Sequence, residues 1–151
     1  MTDHHEALRR WARGQYPIEA AVELLIRHGR FAEPGYRWVD AHGGAHRIDW
    51  DVLAAYAAGS SYSGSERRVL GLAASIAGAE VPGFTSADYI SGLEYSTVQL
   101  ALAAVSHASG VHERQDVWEV FARAEAEDRS PTTDEIHAAR RPGPLVAWPP
   151  P

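Results

Sequence analysis

Six consecutive apolar residues, Leu100 to Val105, limit the folds open to this chain more than anything else in it. Ser96 and Gln99 stand ahead of the run as a capping pair, and Gly110 follows as a terminator, the signals of a helix start and stop. A helix apolar on every side belongs in the middle of a bundle. Leu102 and Val105 are therefore expected to be almost fully buried, with other helices around them.

The chain supplies those helices. Asp3 and Glu6 resemble a capping box, followed by Ala7, Leu8, Trp11 and Ala12 at helical spacing and ended by Gly14. Pro17 opens a second helix with an apolar face of Ile18, Ala21, Val22, Leu25 and Ile26, closed by Gly29. The period then changes. Tyr36–Asp40 and His46–Ile48 alternate around the turn His42-Gly43-Gly44, which predicts a β-hairpin over about Tyr36–Ile48. A lone hairpin is marginal in water, so Trp38 or Ile48 must rest on the helices.

Asp49 caps a helix from Trp50 to about Ala58, and Ser63 with Glu66 caps another that buries Val69, Leu72, Ala73, Ile76 and Ala77. A short turn is expected near Ser86–Ser91. Beyond the central helix, a helix over about Arg114–Asp128 should turn Val117, Val120, Phe121 and Ala124 inward. Thr132 with Glu135 caps a last one ending near Arg141. Five of the nine prolines fall in Pro142–Pro151, so that tail is extended and partly polyproline-like. The expected architecture is mainly α: a compact helical bundle over residues 1–141, with a small β-hairpin insertion and a proline-rich C-terminal tail.

Composition narrows the function classes. With 151 residues, 45% hydrophobic and 23% charged, the chain has the make-up of one globular domain. It has no cysteine, which rules out disulfides and thiolate metal sites. No stretch approaches the ~18 apolar residues of a membrane span, and the opening Met-Thr-Asp-His-His-Glu lacks a signal peptide's apolar core. The reading is a cytoplasmic protein with no membrane role; the alanine- and arginine-rich style resembles that of a high-GC bacterium. A net charge of −6 repels polyphosphate backbones, so nucleic acid is not an expected partner.

Local motifs point to chemistry only weakly. Gly59–Ser65 has the glycine spacing of a phosphate loop, but Ser65-Glu66 stands where the lysine belongs and a helix precedes it. The first two helices and the hairpin have the order of a winged helix-turn-helix, with Arg9, Arg10 and Arg13 as a basic stripe. The exposed face of Ile18–His28, however, offers Glu19 and Glu23 where base readers would be needed. His42 and His46 flank the Gly-Gly turn. His107 and His112 flank Gly110, with Glu113 beside them, and form the candidate set for a small hydrolase or metal-dependent enzyme. His4 and His5 fall in what reads as a frayed terminus, and no cofactor is expected.

The aromatics carry the preferred reading. Tyr36, Trp38, Trp50, Tyr56 and Tyr62 cluster around the hairpin, and tyrosine and tryptophan are enriched at the energetic centres of interfaces. Trp148, with Leu145 and Val146, gives the tail apolar groups that a solubilising terminus does not need. The expected function is a non-enzymatic interaction or adaptor module that engages a protein partner or a second copy of itself, through Trp148, Leu145, Val146, Tyr36, Trp38 and Tyr62. Trp148 is expected to seat in a groove, on its own chain or a neighbour's. The rivals are a DNA-binding regulator using the N-terminal helices and hairpin, and the histidine-dependent enzyme.

Overall fold

The computed structural model describes residues 3–59, 63–113, 117–139 and 143–150. It is mainly helical with one small antiparallel hairpin: α1 (Asp3–Ala12), α2 (Tyr16–His28), β1 (Val39–Asp40), β2 (Arg47–Ile48), α3 (Trp50–Gly59), α4 (Gly64–Ile76), α5 (Ser86–Ile90), α6 (Tyr95–Ala108), α7 (Trp118–Ala126) and α8 (Thr133–His137), with a short 3-10 turn at Val111–Glu113. No described helix is long and apolar enough to cross a membrane.

Capping chemistry sets several of these bounds. Ser63 Oγ accepts from the Glu66 N–H while the Glu66 carboxylate accepts from the Ser63 N–H, a full capping box. Thr132 and Glu135 repeat it at α8, and Asp49 Oδ1 accepts from Val52 N–H at 3.0 Å to start α3. Gly29 stops α2 at φ 81°, a left-handed conformation that glycine adopts without strain. The Ser96 cap is not used. The helix begins at Tyr95, with Glu94 rather than Ser96 at the N-cap position. Asp3 likewise is the first residue of α1 rather than its cap.

α2 is the centre of the bundle, with α1, α4 and α6 all against it. Ala20, Ala21, Val22, Leu24 and Leu25 are buried along it. The hairpin pairs Val39 with Ile48 and Asp40 with Arg47. It is fastened by aromatics: Trp38 is 1% exposed, donates its indole N–H to the Phe31 carbonyl at 2.9 Å, stacks on Tyr36 at 4.7 Å and meets Tyr56 edge-on at 5.4 Å.

α6 lies against α2 in a different rotation from the expected one. Its inward residues are Thr97, Leu100, Ala101, Ala103 and Ala104, whereas Leu102 is 53% and Val105 56% exposed. α6 packs on α2, and small residues are buried on both helices, Ala101, Ala103 and Ala104 on α6 and Ala20 and Ala21 on α2. Alanine at a crossing lets helix axes approach toward the ~8 Å end of the usual range. Leu100 joins the buried side, while Leu102 and Val105 point outward.

α7 also departs from expectation. Only Ala124 is buried; Val117 and Val120 are intermediate, while Phe121 is 47% and Trp118 82% exposed. The helix is only 9 residues long. Just beyond its end, Arg129 bonds Glu127 and, bidentately, Glu135 of α8. Those bonds hold the Glu135 carboxyl down at about 2, with the Thr132 N–H adding to the effect.

Candidate functional site

The described part of the tail lies on the body, along a groove made by α1, α2 and α6. The groove is built around Glu23, on α2. Leu8 and Ala12 of α1 are wholly buried, and this brings Arg9 of α1 over α2, where Arg9 Nε and Nη2 donate to Glu23 at 2.8 and 3.2 Å. Arg27, one turn along α2, donates its Nε at 2.5 Å to Oε1 of the same carboxylate, the oxygen that Arg9 Nη2 also reaches. Burial pushes the Glu23 carboxyl up, but the two guanidinium groups outweigh it and hold it below its ordinary value.

Arg27 is thereby held with one face free for the tail. Its Nη1 donates to the Pro149 carbonyl at 2.5 Å, and its guanidinium lies 5.5 Å from the centre of the Trp148 ring, within cation–π range. The imidazole of His107 stands 6.2 Å from the same indole. Upstream, the Val146 N–H donates to Ser106 Oγ at 3.1 Å, and Ser106 is 5% exposed beneath it. Leu145 and Val146 stay largely outside, at 75% and 38% exposed. A cleft of about 220 Å³ between Arg9, Arg13, Glu19 and His107 borders Trp148. A larger one of about 670 Å³, between Ile26, Gln99 and Leu100, borders Pro149 and Pro150.

His107 and His112 do come together, with ring centres 4.4 Å apart, and the edge of Tyr16 faces both. Gly110 makes this possible. A Cβ there would lie 2.6 Å from the Tyr16 ring, and its φ of +66° is left-handed. His107 Nε2 bonds Glu19 Oε2 at 2.7 Å, and Glu19 Oε1 accepts from the Gly14 N–H at 2.7 Å. Burial raises the Glu19 carboxyl, the bonds from His107 and Gly14 lower it further, and the balance is below the ordinary value.

His112 Nδ1 is buried without a hydrogen-bond partner among the described residues; Glu113 lies exposed on the same turn. Glu19, His107 and His112 form a carboxylate–imidazole pair beside a second imidazole. Such an arrangement orients a base, but the hydroxyl of Ser106, the adjacent residue in sequence, is engaged by the tail. No group of three or more described His, Asp or Glu side chains is placed to hold a metal ion.

The other histidines group differently from expectation. His46 turns away from His42 and meets His4, Nδ1 to Nδ1 at 2.7 Å. His4 is 8% exposed and its Nε2 bonds the Ala32 carbonyl at 2.8 Å, so the first turn of α1 is anchored rather than frayed. His5 bonds Glu33 at 2.7 Å. Of the expected partner-binding aromatics, Trp38 belongs to the core, Tyr36 is half-buried upon it, and Tyr62 lies outside the described residues, as do Ser60 and Ser61 of the Gly59–Ser65 loop. The arginines after that loop serve the fold: Arg67 caps the carbonyls of Ala57 and Ala58, and Arg68 bonds the Asp88 carbonyl.

Sequence reasoning missed the pivots of this site, Arg27, Glu23 and Ser106. The i,i+4 spacing of Glu23 and Arg27 was a readable pairing signal, but nothing local places Arg9 or the tail against it. It also missed an exposed band. Tyr95, 81% exposed, lines up with Val98, Leu102 and Val105 at alternating three- and four-residue steps. Comparison with protein-family models, with curated proteins and with solved structures finds no match to this chain.

Proposed function

We propose that the chain is a non-enzymatic protein-interaction module that self-associates through the outer face of α6, its partner being a second copy of the chain. The observation that carries this reading is the band itself. Tyr95, Leu102 and Val105 are each more than half exposed, and α6 has no Asp, Glu, Lys or Arg along its 14 residues. Contiguous exposed apolar surface of this kind marks interaction sites, and three–four spacing is the pattern that seats a second helix. A two-fold arrangement pairs the band with itself about an axis close to Leu102, so no charge is buried. Closed two-fold pairs are the commonest oligomers.

The rival readings have less to stand on. A recognition helix needs a whole face in the major groove, whereas α2 lies at the centre of the bundle, and Arg9 of the basic stripe is committed to Glu6 and Glu23. The histidine pair has an orienting carboxylate, but the hydroxyl of neighbouring Ser106 is taken up by the tail. Sedimentation equilibrium of the full chain tests the proposal. Wild type should shift from monomer to dimer with concentration, and Leu102→Asp/Val105→Asp, folded by circular dichroism, should stay monomeric. A wild type that remains monomeric at hundreds of micromolar overturns it.

A further inference from the structure

We propose that the α1/α2/α6 groove is a receptor site for proline-flanked tryptophan segments, which the chain's own tail fills in cis and which a separate segment of the same chemistry can enter in trans. The seated tail displays the recognition. Ser106 takes a backbone N–H from Val146, Arg27 gives a hydrogen bond to the Pro149 carbonyl, and one side chain, Trp148, lies between Arg27 and His107. The groove thus reads a backbone, one indole and the proline after it.

The receptor half is organised without help from the tail. Glu23 holds Arg27 in place by a 2.5 Å bond on one side and is itself steadied by Arg9, so little side-chain freedom is lost when a ligand arrives. Prolines hold the ligand near an extended helix and lower its own ordering cost. The fit is also incomplete. Trp148 is only partly buried, and clefts of about 220 and 670 Å³ border Trp148 and Pro149–Pro150. A ligand with further apolar groups has room to contact Ile26 and Leu100. The site is distinct from the outer band of α6, so either can be lost without the other.

The test uses the full chain and a dye-labelled synthetic peptide copying residues 143–151, read by fluorescence anisotropy. A short tether gives a tail an effective concentration near millimolar, so the wild type should bind the peptide weakly. Trp148→Ala, which empties the indole site but leaves the groove intact, should bind it at least about tenfold more tightly. Val146→Pro removes the N–H given to Ser106 and should shift affinity in the same direction. Arg27→Met in the Trp148→Ala background, or alanine for tryptophan in the peptide, should abolish the gain. The proposal is overturned if neither loosened variant, folded by circular dichroism, binds the peptide more tightly than wild type. It is equally overturned if binding survives Arg27→Met.

Discussion

Two leucines two residues apart on α6 provide a quantitative check of how that helix is turned. Leu100 is 8% exposed and part of the core, whereas Leu102 is 53% exposed. Truncating Leu100 to alanine removes buried methyl groups and leaves a cavity among α2 and α4 side chains, a change that costs about 2–5 kcal/mol. Leu102 is different. Full burial of a leucine is worth roughly 1.5–3 kcal/mol, and about half of that side chain is already in water, so the transfer loss is about 1 kcal/mol. No closed cavity forms, and alanine's slightly better helix propensity offsets a few tenths. Urea melts followed by far-UV circular dichroism, at a concentration where the chain is monomeric, measure both. Leu100→Ala should lower the midpoint at least twice as far as Leu102→Ala, with the same m-value. Equal losses in the monomer would refute the rotation assigned to α6 and return Leu102 to the core.

Three other outcomes follow from local geometry. Gly71→Ala places a Cβ 2.4 Å from the Tyr89 ring, which is 4% exposed and stacked on Phe84. Despite alanine's helix propensity it should cost about 1–3 kcal/mol in a thermal or urea melt, part of it restored by adding Tyr89→Leu. Ser63→Ala removes the capping-box acceptor of α4 and should cost about 1 kcal/mol in the same assay. Glu19 and Glu23 are both held below 4.5 in the folded chain, so the unfolded chain binds protons more readily than the folded one. Their contribution is whole above 4.5 and is lost as pH falls through the folded values. Stability should drop in that acid window, and Glu23→Gln should flatten the drop.

The order of elements was readable because each rests on local chemistry. Ser63 with Glu66, Thr132 with Glu135, Gly29 and the alternation around Gly43-Gly44 all act within a few residues. The rotation of α6 was not readable, because a segment apolar all round gives no inward direction and size alone favoured Leu102 and Val105. The inward side is the one that packs on α2, a contact between segments about 80 residues apart. The same holds for His4, whose partners Ala32 and His46 lie 28 and 42 residues away. At the site, the sequence named Trp148 and the His107–His112 pair. The i,i+4 spacing of Glu23 and Arg27 signalled their pairing, but nothing showed that Arg9 or the tail joins them, because a tail resting on a distant groove leaves no periodic trace.

The absence of cysteine from the chain makes one measurement decisive for the self-association proposed here. A single Leu102→Cys substitution puts the only thiol of the molecule on the outer band of α6, and Ala55→Cys puts it on the exposed side of α3. Under mild oxidation, pairing through α6 predicts rapid, near-complete disulfide dimer for Leu102→Cys at concentrations where Ala55→Cys stays monomeric. The same slow dimerisation for both variants would show that α6 does not meet its copy and would contradict the account.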